Sequence, residues 1–341
     1  MRRRRLLAWV LGGLAAAGIA LPALGCGADP STPSLTLYNG QHTQLTNALV
    51  AAFTKRTGIQ VQQRTNDGIV LADQLLQEGS DSPADVYLTE NSPELVTLDQ
   101  HHLLAKLDPS TLAQVPAADS APTGDWAAVA LRIGGLAYDP SLIPATALPK
   151  SVLALAEPRW KGKIAIAPAD SDFPPLVGAV IATYGTKVAQ QWLAGLKRNA
   201  QIFQTDEAVV AAVNRGDVAT GLINHYYWYR LRLEIGASAM HSSVYYFPDH
   251  DVGSIENISG AAVLASSAHK REAQRFVAFL VSRAGQEILA HSADFEYPAR
   301  PGVRPNPALR PLSAISPATL GPVRLGNDQQ AARLIEQSGL V

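Results

Sequence analysis

Leu35-Thr36-Leu37-Tyr38-Asn39-Gly40-Gln41-His42, with the runs Leu45 to Arg56 and Ile59-Gln60-Val61-Gln62 behind it, decides the fold. The first run alternates as a strand does. The second carries Leu45, Leu49, Ala52 and Phe53 at helical spacing and stops at Gly58, a residue suited to the left-handed end of a helix. Ile59 to Gln62 reads as a second strand, Ile69 to Glu78 as a second helix stopped by Gly79, and Ala84-Asp85-Val86-Tyr87-Leu88 as a third strand. Strands alternating with crossover helices imply an α/β fold with a mainly parallel sheet covered on both faces. In such open sheets a ligand sits beyond the carboxyl ends of the strands, so the residues after each strand become the candidates.

The middle of the chain repeats the arrangement. Lys163-Ile164-Ala165-Ile166-Ala167 predicts a strand, followed by the turn Pro168 to Phe173 and a helix that opens with Pro174-Pro175. Val218-Ala219-Thr220-Gly221-Leu222-Ile223 predicts a buried strand, and directly past it lie Asn224-His225-Tyr226-Tyr227. Four strand ends therefore present His42, Glu90, the Ser171 turn and the Tyr226-Tyr227 pair, two in each of two α/β segments. Trp126 to Tyr138 and Val252 to Leu264 read as strands carrying the chain between two lobes and back, which implies a cleft. Residues 35–132 plus 257–300 would form the N-terminal lobe, and 133–256 plus 301–341 the C-terminal lobe. Lys270 to Leu289 reads as one helix returning to the first lobe, and the Pro-rich stretch Pro298 to Pro311 as surface wrapping.

Residues 1–25 have the form of an export signal, with Arg2 to Arg5 ahead of an apolar stretch from Leu6 to Leu21. A membrane anchor of about 20 residues would look similar. Leu21-Pro22-Ala23-Leu24-Gly25-Cys26 favours a signal peptide, because it resembles the lipobox of bacterial lipoproteins, with Ala23 where leucine is usual. Cys26 is then the lipidated residue, and residues 26–34 a flexible tether. As the only cysteine, Cys26 leaves no intrachain disulfide, so stability has to come from a core. A net charge of -1 with 17% charged residues gives no field for nucleic acid, and a monomer is expected.

Adjacent phenols past an apolar run are hard anionic donors suited to a trivalent cation such as Fe(III). Residues i and i+1 reach one ion only at a strand end or in the first turn of a helix, where Tyr226 and Tyr227 are placed. Tyr245-Tyr246 lies inside the alternating run Ser243 to Phe247, so those rings should face opposite ways and pack. His101-His102 reads as a surface turn, and His225 as a neighbour that shapes the site.

Tyr38-Asn39-Gly40-Gln41-His42, Ala84-Asp85-Val86-Tyr87-Leu88-Thr89-Glu90 and Asn224-His225-Tyr226-Tyr227-Trp228-Tyr229 closely resemble the bacterial periplasmic ferric-ion-binding proteins, or bacterial transferrins. Phe247-Pro248-Asp249 and Asn257 to Ala262 extend the likeness, which spans the chain beyond the leader. The resemblance implies the two-lobed, type II periplasmic-binding-protein fold and the role of solute-binding component of an iron ABC importer. By the same resemblance His42, Glu90, Tyr226 and Tyr227 are the Fe(III) ligands. Their two phenolates and one carboxylate balance a 3+ ion while His42 stays neutral, and binding should weaken in acid. A synergistic anion, phosphate or carbonate, would complete the coordination through Asn91, Ser171, Asp172, Phe173, Asn199 and Asn224. A helix start suits an anion physically. Asp172, however, puts a negative side chain into a turn that is usually small and neutral, so the anion's identity and presence stay open.

Two other functions compete. A receptor of the same fold for an organic solute would line its cleft with aromatic platforms, whereas these strand ends offer hard charged donors. A mononuclear iron enzyme or hydrolase would need a base or a nucleophilic triad. The chain has no Gly-x-Ser-x-Gly, His-Glu-x-x-His or Cys-x-x-Cys. The expectation is a non-enzymatic receptor, periplasmic or lipid-anchored at the outer face of the cytoplasmic membrane, that hands ferric ion or a ferric chelate to an ABC permease.

Overall fold

A computed structural model describes residues 33–341; the leader, Cys26 and the tether up to residue 32 lie outside the described residues. The strands are β1 Ser34–Gly40, β2 Gln60–Thr65, β3 Val86–Thr89, β4 Leu104–Ala105, β5 Trp126–Tyr138, β6 Ile164–Ile166, β7 Ala200–Ile202, β8 Thr220–Asn224, β9 Ser243–Tyr245, β10 Glu256–Leu264 and β11 Tyr297–Pro298. The helices are α1 Thr43–Thr57, α2 Gly68–Glu78, α3 Ser92–Gln100, α4 Pro109–Leu112, α5 Phe173–Tyr184, α6 Thr186–Asn199, α7 Asp206–Arg215, α8 His225–Ile235, α9 Lys270–Leu280, α10 Arg283–Ala290, α11 Leu312–Ile315, α12 Gly321–Leu325 and α13 Gln329–Ser338.

The strands pair in the order β2-β1-β3-β10-β5-β8-β6-β7, with β4 on β10 and β9 and β11 on β5. At each end the pairing is parallel, β1 with β2 and β3, β6 with β7 and β8; in the middle β10 and β5 run antiparallel to their neighbours. This is the mixed α/β arrangement expected of alternating strands and helices.

β5 is the element that joins the halves. Its residues up to Ile133 pair with β10, and from Gly134 onward they pair with β8. Two glycines sit at that changeover because the backbone is crowded there. A Cβ on Gly134 would lie 2.9 Å from the Gly253 carbonyl oxygen, and one on Gly135 would lie 2.7 Å from that of Tyr245.

One core cluster joins Leu35, Leu37, Phe53, Tyr87 and Phe276, and a second joins Leu136, Trp160, Ile164, Val177 and Trp192. Each such side chain contributes about 1.5–3 kcal/mol on burial. Tyr245 and Tyr246 divide between them: Tyr245 packs against the second cluster and donates to Pro149 O, whereas Tyr246 is buried in the first. Their rings therefore pack on opposite sides, as the alternating pattern predicts.

Two element boundaries differ from the sequence reading. The helix expected over Lys270 to Leu289 is two helices, α9 and α10. The Ser282 hydroxyl accepts the Gly285 N–H at 3.2 Å and starts a new helix, and a side chain at Gly285 would run into the Phe279 carbonyl. The strand expected from Val252 begins at Glu256, because the Asp251 carboxylate accepts the Gly253 N–H and winds Val252–Ser254 into a 3-10 turn. Near the carboxyl terminus α12 packs against both α3 and α5, and α13 lies on α5 and α6.

Candidate metal centre

Four carboxyl ends of strands meet at one open cleft of about 860 Å³, whose lining includes His42, Glu90, Ser171, Tyr227 and Arg230. His42 is held there by a local turn. The Asn39 carboxamide oxygen accepts the Gln41 N–H at 3.1 Å and the Thr46 hydroxyl at 3.0 Å, and the Gln41 side chain accepts the His42 N–H at 2.6 Å. The turn delivers His42 to the N-cap of α1. Glu90 follows β3 directly, and the Ser259 hydroxyl of β10 fixes that strand end by donating to Thr89 O at 2.7 Å.

Tyr226 and Tyr227 occupy the first turn of α8, which begins straight after β8. At that place adjacent residues can converge instead of splaying. Their ring centroids are 4.0 Å apart, and the His42 ring lies 5.1 Å from Tyr226. His42 Nδ1 is 3.0 Å from a Glu90 carboxylate oxygen, while His42 Nε2 is buried with no hydrogen-bond partner. A carboxylate on Nδ1 fixes the proton there and leaves Nε2 as a free lone pair, the usual preparation of a metal-ligating imidazole.

Behind these groups stands Arg132, fully buried in β5. Its guanidinium donates to the other Glu90 carboxylate oxygen at 2.8 Å, to Asp172 Oδ1 at 2.9 Å, to Asn91 Oδ1 at 2.8 Å and to the Glu90 carbonyl. Glu296, also buried, lies 3.8 Å away. Asp172 uses its second oxygen to accept the Tyr226 hydroxyl at 3.1 Å. One cation thus gathers carboxylates from β3, from the β6–α5 turn and from the segment before β11.

Burial governs how these groups titrate. It pushes both Tyr226 and Tyr227 well above the usual phenol range, with the Asp172 charge adding to the effect. Glu90 is raised by burial too, against the pull of Arg132. His42 is held at about 3 by burial and by the charges of Arg230 and Arg132, so the imidazole is neutral at working pH. Asp170 is pushed up to about 7 and Asp206 is raised well above the usual carboxylate range, by burial first and then by the charges of each other and of Asp172.

His42, Glu90, Tyr226, Tyr227, Asn91, Ser171 and Asp172 are brought together, with Phe173 and Asn224 behind Asp172 around a smaller pocket; Asn199 is not among them. Asn199 ends α6 at the opposite, amino end of the strands, where its amide donates to Leu155 O at 3.0 Å and Glu157 O at 2.8 Å. The Phe173 N–H bonds Asp170 O, and its ring stacks on Trp192 in the core. The Asp172 N–H is taken by Asp170 Oδ1. Asn91 has its oxygen on Arg132 and its amide on Ser171 O at 3.4 Å. Asn224 donates its N–H to Asp206 and, with Asp172, lines a pocket of about 20 Å³, room for one water.

His225 is a neighbour and not a donor to the cleft, since both ring nitrogens bond to backbone. His101 and His102 are exposed after α3. Sequence reasoning passed over Arg132, Glu296 and Gln41. The signal for Arg132 was a lone arginine in a thirteen-residue strand otherwise free of charge.

The profile described as "bacterial extracellular solute-binding protein" matches residues 81–314. The chain is 39% identical over 319 residues to the Fe(3+)-binding periplasmic protein of Serratia marcescens, covering 94% of each, and 36% identical to the major ferric iron-binding protein of Neisseria meningitidis serogroup B, covering 92% of this chain and 95% of that one. Iron-bound HitA from Pseudomonas aeruginosa superposes with a TM-score of 0.86 at 43% identity, over 90% of this chain and 99% of HitA. A Trichodesmium protein in complex with iron and citrate superposes with a TM-score of 0.79 at 28% identity, over 90% of this chain and 100% of that one. With a profile and relatives of this extent, the chain belongs to the bacterial extracellular solute-binding proteins, and the two relatives compared carry the names of ferric-iron-binding proteins, one of them periplasmic.

Proposed function

We propose that this protein is a receptor outside the cytoplasm that captures Fe(III) in its cleft and delivers it to an ABC permease for import. The observation that carries the reading is the donor set itself: a buried, unpartnered His42 Nε2 beside Glu90 and two touching phenols. Tyr226 and Tyr227 supply phenolate oxygens, Glu90 a carboxylate oxygen and His42 a nitrogen. Hard oxygen donors with one borderline nitrogen select a hard, highly charged ion. The cleft is lined mainly by polar and charged groups, with few aromatic rings beyond the donors His42 and Tyr227, which supports a metal or its chelate over an organic solute held on aromatic platforms.

Four donors leave two places on an octahedral ion. Asp172 is within hydrogen-bond reach of Tyr226 and carries a compensating Arg132, so it offers an internal carboxylate where phosphate or carbonate was expected. Counting the donors, Asp172 and Arg132, the charges then close without an outside anion: two phenolates and two carboxylates against a 3+ ion and one guanidinium, with Glu296, pushed up to about 7 by burial, taken as the neutral acid. Residues 35–132 with 257–300 and 133–256 with 301–341 act as lobes that close on the ion about β5 and β10. Cys26 carries the lipid that keeps the receptor at the membrane, and the protein works as a monomer.

A ferric titration followed by visible absorbance tests the reading. The expected result is a broad phenolate-to-iron band that appears without added phosphate or carbonate and is abolished or strongly shifted in Tyr226→Phe and Tyr227→Phe. A colourless protein at saturating ferric ion, with no iron by elemental analysis, would sink it.

A further inference from the structure

His225 is the first residue of α8, immediately before the two tyrosines, and it is fully buried. Its Nδ1 accepts the Ile133 N–H at 3.1 Å, and its Nε2 lies 2.9 Å from Phe295 O, to which it donates. Accepting at one nitrogen and donating at the other requires the neutral ring with its proton on Nε2. Ile133 is the last residue of β5 to pair with β10, and Gly134 the first to pair with β8. Phe295 lies in the connection between α10 and β11, next to Glu296 at Arg132, with a φ of 54° that a bulky residue adopts only when held there.

One imidazole therefore ties together the helix that carries the tyrosines, the crossover strand at its changeover and a segment bearing on the Glu90–Arg132 group. The ring also lies against Tyr297, at 5.1 Å between centroids, which limits its tilt. We propose that His225 is a positioning residue: by its bond to β5 it fixes the angle at which the first turn of α8 leaves β8, and so where Tyr226 and Tyr227 sit relative to His42 and Glu90. This rests on the proposed Fe(III) site, and it goes beyond that site by assigning its geometry to a side chain that touches no cargo. A helix start one residue from the donors has little backbone of its own to absorb error. Displacement of its first residue moves both phenol oxygens together.

The test compares His225→Phe, which keeps a flat ring but loses both hydrogen bonds, with His225→Gln, which can still accept and donate. In wild-type protein the phenolate–iron band and the rate of iron loss to a competing chelator set the reference. Expected in His225→Phe is a shifted band and iron loss faster by about tenfold or more, as when buried backbone groups lose their partner; His225→Gln recovers most of both. A His225→Phe protein with a lowered melting temperature but wild-type band and release rate overturns the proposal, since the ring is then only structural.

A second measurement needs no variant. In wild-type protein loaded with Ga(III), a diamagnetic stand-in, nitrogen NMR should show His225 as the Nε2–H tautomer with slow proton exchange. The Nδ1–H tautomer or fast exchange overturns the proposal as well. Absence of any band in the wild-type protein would mean instead that the Fe(III) site itself is wrong.

Discussion

Acid should empty this site, and the steepness of the loss follows from the two phenols. Burial holds Tyr226 and Tyr227 well above the ordinary phenol value of about 10, so both carry protons at neutral pH until an ion displaces them. Each bound ferric ion must then release two phenol protons. The sign is fixed: lower pH favours the protonated, ion-free form. The apparent binding constant should therefore fall about 100-fold per pH unit, or about 2.7 kcal/mol at about 1.36 kcal/mol per proton. Glu90, also raised by burial, adds a third proton once the pH drops through its own range. His42, held at about 3, adds none above about pH 4. The assay is competition for ferric ion with citrate, followed through the visible band at three pH values and corrected for the protonation of citrate itself. Release of fewer than one proton per ion, or affinity that strengthens as the pH falls, would refute the assignment of both phenols.

Two further perturbations probe the scaffold. Arg132→Leu removes the cation from two carboxylate oxygens at 2.8 and 2.9 Å, and unfolding in denaturant should show a loss on the order of 3–5 kcal/mol, partly recovered by adding Asp172→Asn; a loss near zero would mean the carboxylates are not charged there. Gly135→Ala forces a Cβ to 2.7 Å from a carbonyl oxygen and should cost about 1–3 kcal/mol. Gly58→Ala, where φ is 75° and nothing lies within 4 Å, should cost about 1–2 kcal/mol through backbone strain alone.

The strands whose ends build the site were legible because each is short, apolar and followed by polar residues that a buried run cannot hold. β5 was read to the residue, Trp126 to Tyr138, since thirteen nearly uncharged residues in a row have few alternatives. What the pattern could not convey was the partner of its one charge. Arg132 meets Glu90, Asp172 and Glu296 across wide separations in sequence, and pairing at that range depends on packing and not on local spacing. Asn199 failed for the opposite reason. A lone asparagine at a helix end near a strand looks the same at either end of a sheet, and only the parallel pairing of β6 with β7 places it on the far side. The break between α9 and α10 was hidden because both helices keep one apolar periodicity, interrupted only by the Ser282 cap.

The position of β10 has a consequence for the order in which the molecule can be made. β10 lies between β3 and β5 in the sheet, yet its residues follow the whole of β6 to β9 in the chain. The strands read first during synthesis therefore wait with a gap in their middle until Glu256–Leu264 emerges, while the intervening half has all its own strands at hand. Sheets completed by such distant partners close slowly. For the proposed receptor outside the cytoplasm, a half that stays unfinished until late in synthesis is an advantage of topology, because an unfinished sheet leaves the chain open to passage through a membrane.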